Sequence, residues 1–251
     1  MHTAKKFLSP PAVPRVRYQR NFIKTAVIEL RFPTLLELES KPPTKFQSLI
    51  RKSYPFYEPQ VVQHVGGADV GAPEHHYLFH SKDKKWTVVI KSFAVAIETS
   101  KYEDFENFFT RFQEILQSAK EIIDSDFFTR VGLRYVNSIP IEDGNPEGWI
   151  RSDLIRPITG GVLGDTESCA SIIQGYMERG RYGFRHGLHG IDGDNKSGVP
   201  NYRLDFDYYE ENVEFGDVEK LIRLFNEVNF SFFSWCLGDK AKKILGEGKP
   251  K

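Results

Sequence analysis

Glu178-Arg179-Gly180-Arg181-Tyr182-Gly183-Phe184-Arg185-His186 is the stretch of the chain with the most chemistry per residue. Three arginines are interleaved with Tyr182 and Phe184 on what reads as a strand hairpin. A guanidinium grips phosphate or carboxylate through two parallel donors, and an aromatic ring can stack a base. That combination suits a nucleotide or a single nucleic-acid strand. The plainer alternative is a polar sheet face whose arginines pair with nearby acids. Such acids are present: in Arg203-Leu204-Asp205-Phe206-Asp207-Tyr208, the residues Arg203, Asp205 and Asp207 share one strand face. Side chains two apart on a strand lie roughly 7 Å apart. Asp205 and Asp207 could therefore hold a divalent ion that activates water, with His186 or His189 assisting. A cross-strand ladder with Arg134, Arg181 or Arg185 is the simpler use of the two carboxylates.

The other candidate motifs fail on their own chemistry. Gly160-Gly161-Val162-Leu163-Gly164-Asp165 is glycine-rich but lacks the Lys-Ser/Thr pair that reaches phosphates and metal at a helix start, so it reads as a loop. Asp192-Gly193-Asp194-Asn195-Lys196-Ser197 opens like a calcium loop. However, a cation, Lys196, sits at the fifth ligand position and Arg203 stands where a bidentate Glu belongs. A hairpin loop is expected there instead. His75, His76 and His80 surround one strand, but no helix offers zinc the spacing of a His-Glu-x-x-His motif. No Gly-x-Ser-x-Gly elbow and no cysteine-nucleophile signature occurs.

Several elements must position these residues. In Thr25–Phe32, the side chains of Ala26, Ile28, Leu30 and Phe32 alternate with Glu29 and Arg31, the period of a half-buried strand ended by Pro33. A helix follows Pro42-Pro43, with Thr44 as N-cap and Gln47 completing a capping box, and Pro55 forbids its continuation. After a turn-rich stretch at 66–73, strands are expected at 75–81, 85–91 and 93–99. Residues 102–123 repeat Phe105/Phe112/Ala119, Phe108/Ile115/Ile122 and Phe109/Leu116/Ile123 at seven-residue steps, a wide apolar stripe for a helix lying on a sheet. Ser100 with Glu103 reads as its capping box.

The second half repeats the plan: a strand at 131–139, a short helix near 147–154 within a loop-rich 142–168, and strands at 169–178, 181–189 and 201–210. A long helix then follows Asp217 and is broken by Gly238, with a short one after Asp239. Asn137, polar among the inward residues of its strand, is read as a hydrogen-bonding residue or a ligand contact.

The expected fold is α+β: predominantly antiparallel sheet backed by two long helices, with two duplicated β-α-β-β-β-α halves, 22–125 and 126–246, as one reading of the order. An extended basic arm (1–21, with Pro10, Pro11 and Pro14) and a frayed tail (247–251) flank this single domain.

Composition narrows the function classes. The 251 residues balance 34 Lys plus Arg against 34 Asp plus Glu, which argues against a dominant counterion-release mode of nucleic-acid binding without excluding nucleic acid outright. Twenty Phe and 11 Tyr mark an aromatic core. Cys169 and Cys236 form no metal spacing and fit a reducing cytoplasm. No apolar run is long enough for a membrane span and no signal core opens the chain.

The Ala26–Phe32 strand, Tyr54-Pro55, Tyr102-x-x-Phe105, Arg134-Tyr135-Val136-Asn137-Ser138-Ile139 and Leu237-Gly238-Asp239-Lys240-Ala241 together resemble a sporadically distributed family of uncharacterised bacterial and archaeal proteins of about this length, from Phe22 to Gly246. The resemblance implies a cytoplasmic α+β protein without an established activity, and its patchy distribution suggests mobile defence or toxin–antitoxin neighbourhoods. The expected function is binding: Arg134, Arg181, Tyr182 and Arg185 present cations and a ring to an anionic small molecule or a protein partner, with no cofactor and with homo-oligomers open. The alternative is a metal-dependent phosphodiesterase or nuclease built on Asp205, Asp207, His186 and His189.

Overall fold

The computed structural model describes residues 6–246 apart from 15, 63–64, 67–68, 71–72, 143 and 191–198. In chain order the strands are β1 (Ile23–Arg31), β2 (Phe56–Val62), the two-residue pair β3 (Val65–Gly66) and β4 (Asp69–Val70), then β5 (Glu74–His80), β6 (Trp86–Lys91) and β7 (Ala94–Thr99). They continue as β8 (Phe127–Pro140), β9 (Ser171–Tyr176), β10 (Arg181–His189) and β11 (Asn201–Glu214). The helices are α1 (Glu37–Ser40), α2 (Thr44–Ile50), α3 (Phe105–Lys120), α4 (Ser152–Thr159), α5 (Val218–Cys236) and α6 (Asp239–Leu245). Among the described residues, nine strands form one sheet in the order β2-β5-β6-β7-β1-β8-β11-β10-β9. The pairings β2–β5, β5–β6, β6–β7, β1–β7 and β9–β10 are antiparallel. The α+β class is as the sequence predicts.

The chain divides into two units by contact. One comprises Thr25–Leu133 with Tyr209–Ile222, and the other Met1–Lys24, Arg134–Tyr208 and Arg223–Lys251. In the first, the β5–β6 turn is set by Asp83, whose carboxylate accepts from the Ser81 hydroxyl and the Lys85 amide, while Lys84 takes a positive φ of 55°. The stripe on α3 buries Phe108, Phe109, Phe112, Ile115 and Leu116. Phe108 meets Trp86 of β6 at 5.7 Å, and Arg111 lies over the same indole at 4.8 Å. Fully burying one such aromatic side chain is worth roughly 1.5–3 kcal/mol, so these rings dominate the unit's stability.

In the second unit, the inward face of β10 and β11 meets α5. Phe184 lies 4.9 Å from Phe206 and 4.8 Å from Phe232, and Tyr208 faces Phe225 at 6.1 Å. The Tyr135 hydroxyl donates to Asn226 of α5. The strand period therefore decides which residues are free: 182, 184 and 186 turn toward the helix, and 181, 183 and 185 turn away.

Several sequence expectations need correction. The cap of α3 is Asp104, whose side chain accepts from the Asn107 amide at 2.9 Å, and not Ser100, because the helix starts a turn later than the apolar stripe suggests. Thr44 is the first residue of α2 and Pro43 occupies the cap position without a side-chain bond. The short helix lies at Ser152–Thr159, after an isolated bridge between Glu147 and Ile150, where 147–154 was expected. Strand β2 lies outside the elements the sequence predicts: six of its seven residues are exposed and it runs through Pro59, so it carries no alternation to read. The Asp192–Ser197 loop and the 247–251 tail lie outside the described residues. Among those residues, no helix is long and apolar enough to cross a membrane.

Candidate functional site

Asp205 is the anchor. It is a buried carboxylate, 2% exposed, on the face of β11 away from α5. Both of its oxygens accept from Arg134 of β8, at 2.8 Å from Nε and 2.8 Å from Nη2, the fork-on-carboxylate geometry that fixes orientation as well as charge. Arg203 Nη2 stands at 3.4 Å and Arg185 Nη1 at 3.8 Å from the same carboxylate. The hydrogen bonds that Arg134 donates to Asp205 push its guanidinium further up from its already high value, with the nearby charges of Asp205 and Asp207 adding to the effect. The ladder reading of these residues is thus realised at Arg134 and Asp205.

The cluster keeps a cationic surplus. Arg134, Arg185 and Arg203 converge on Asp205, yet their side chains remain 40%, 51% and 43% exposed. The acids acting on them are Asp205 and, on Arg134 through its charge, Asp207. Buried Arg203 Nε has no hydrogen-bond partner among the described residues. One strand over, Arg181 lies 5.0 Å above the ring of Tyr176, with which it is in register across β10 and β9. Between Arg181 and Arg185, a side chain at Gly183 would meet nothing within 4 Å, so the arginines flank open space.

The remaining nominated residues divide by strand parity. Tyr182 faces α5, edge-on to Phe232 at 6.2 Å, and does not share the arginine face. His186 is buried on that same inner side, where Nδ1 contacts the Tyr202 hydroxyl at 2.7 Å and the ring stacks on Phe184 at 4.8 Å. Burial holds its pKa below the usual imidazole value. His189 ends β10 and is exposed. Asn137 is buried and donates to the Leu204 carbonyl at 3.4 Å. His186 therefore lies across the sheet from Asp205 and Asp207, whose side chains alternation turns to the other face. Among the described residues, no three His, Cys, Asp or Glu side chains cluster as a metal site would need. In the first unit, His76 contacts Glu74 at 2.6 Å and His80 contacts Glu58 at 3.4 Å.

Arg203 joins the cluster beyond the residues the sequence points to, and the signal for it is its strand parity with Asp205. The contribution of Tyr176 depends on hairpin register, which the sequence does not reveal. No protein-family model matches the chain, and no curated protein matches it.

Proposed function

We propose that this protein is a binding protein whose arginine face captures an anionic group, a phosphate or carboxylate carried by a small molecule or a protein partner. The observation that carries the reading is the convergence of Arg134, Arg185 and Arg203 on one buried carboxylate while each keeps about half of its surface open. Asp205 holds Arg134 in place and so reduces the ordering cost of binding, and the surplus charge of its neighbours supplies the attraction. Two free cysteines, one of them buried, favour a cytoplasmic setting. The long helices α3 and α5, each closing a strand-led half, favour reading those halves as duplicated units backing the sheet.

The test is thermal unfolding with pyrophosphate, citrate or polyglutamate against chloride at equal ionic strength. Ligand at ten times its Kd adds about 1.4 kcal/mol, a rise in Tm of about 3–5 °C for a chain of this size. Arg185→Ala is the informative variant, since it leaves the Arg134–Asp205 pair intact and should abolish most of the shift. Arg134→Ala is a poor choice because it strands a buried carboxylate. If no anion stabilises the wild type beyond chloride, the reading is wrong.

A further inference from the structure

Among the described residues, the outer edge of β9 has backbone groups left to satisfy. The Met177 amide donates to the Gly180 carbonyl to close the β9–β10 hairpin, and bonded positions alternate from there. Gly175, Ile173 and Ser171 turn their backbone groups toward β10, and Tyr176, Gln174 and Ile172 turn theirs outward. At Tyr176 the Leu8 amide donates to the carbonyl at 2.9 Å. No hydrogen bond among the described residues reaches the outward groups of Ile172 or Gln174.

Edges of this kind are usually blunted with charge or proline. Edge strand β2 has both, in Glu58 and Pro59. Strand β9, Ser171-Ile172-Ile173-Gln174-Gly175-Tyr176, has neither, and Ile172 (68%), Ile173 (42%) and Tyr176 (41%) are exposed. Register puts Ile172 beside Arg185 and Tyr176 beside Arg181 on the cationic face, and Ile173 beside Phe184 on the other.

We propose that the β9 edge accepts an extended acidic segment of a partner protein as an additional strand, its carboxylates lying on the face of Arg181 and Arg185. The inference rests on the anion-binding reading of that face and names the partner class. An added strand lies about 4.8 Å beyond β9, so its face-side acids sit about 10 Å from the β10 backbone, a gap that a Glu and an Arg side chain span together. The segment should alternate acidic residues with apolar ones, the apolar set falling beside Ile173. Docking displaces Leu8 from the Tyr176 carbonyl.

A fluorescent peptide of Val-Glu repeated four times tests this by anisotropy against a Val-Lys control, with hydrogen exchange read at 171–176. The acidic peptide should bind and slow exchange at the Ile172 and Gln174 amides, and the basic one should not bind. Gln174→Pro removes an edge donor and should weaken the peptide about tenfold or more while leaving the pyrophosphate shift unchanged. A peptide N-methylated on its edge-facing amides, which leaves the protein untouched, should lose affinity likewise. Binding that survives both changes overturns strand addition but not anion capture. A missing pyrophosphate shift overturns anion capture itself. A wild-type dimer in light scattering that Gln174→Pro abolishes assigns the edge to a second copy and overturns the peptide proposal.

Discussion

At Asp205, sequence and geometry meet on most points and part on one. The parity of Arg203, Asp205 and Asp207 is readable because strand alternation is a fixed backbone property. The same rule separates Arg181 and Arg185 from Tyr182 and His186, yet interleaving in sequence invites the opposite reading, of rings and cations side by side. Burial then decides His186. Its neutral ring, stacked on Phe184 and bonded to Tyr202, is held below the ordinary pKa by desolvation. The unfolded chain binds that proton near pH 6.5, whereas the native state resists it until lower pH. The contribution of His186 to stability is therefore fully present above about pH 6.5 and is lost as pH falls toward its depressed native value. His186→Phe keeps the stacking and removes the titration, and Tyr202 retains its contact to the Leu154 carbonyl at 3.4 Å. Urea midpoints from pH 7.5 to 5 should fall more steeply in wild type than in the variant; parallel curves would show that His186 protonates without cost.

Among elements, legibility follows burial. Strands β5, β6 and β7 are legible to within a residue at each end, and helix α3 in type and stripe but not in its ends, because one face of each is packed and the other is not, so the pattern is written in side-chain type. Strand β2 was missed and β9 was overextended, since an edge strand exposed on both faces has no alternation to display. The α3 cap was misplaced for a related reason: Ser100 and Asp104 are both acceptable capping residues, and tertiary packing chooses between them. Hairpin β9–β10 turns on Gly180 at φ 85°, a conformation an L side chain resists. Gly180→Ala should cost roughly 1–2 kcal/mol, lowering Tm by about 2–8 °C. Because this hairpin sets Arg181 over Tyr176 and brings Arg185 beside Asp205, the variant should also weaken anion binding at temperatures where it remains folded. Calorimetry and titration on one preparation check both effects, and an unchanged Tm would mean that the turn has a second low-energy conformation.

For the whole chain, the balance of 34 cationic against 34 anionic side chains sets what a local arginine cluster can achieve. With no net charge there is little long-range field to steer a polyanion, so attraction is confined to within about a Debye length of the cluster, roughly 10 Å at 0.1 M salt. A protein that tracks a nucleic-acid backbone neutralises many phosphates, and its affinity falls steeply with salt, by about 0.9 log units per phosphate for each tenfold rise. Here Arg181, Arg185 and Arg203 are the cations not held in a two-oxygen grip by Asp205, so a bound anion releases at most about three counterions. The plot of log affinity against log salt for the acidic peptide should therefore have a slope between about −1 and −3. The protein should pass through heparin resin at about 0.15 M salt, and a twelve-nucleotide single strand should compete with the peptide only weakly. A slope beyond about −5, or retention on heparin, would require a cationic track longer than this face and would shift the assignment from a carboxylate-bearing partner to nucleic acid.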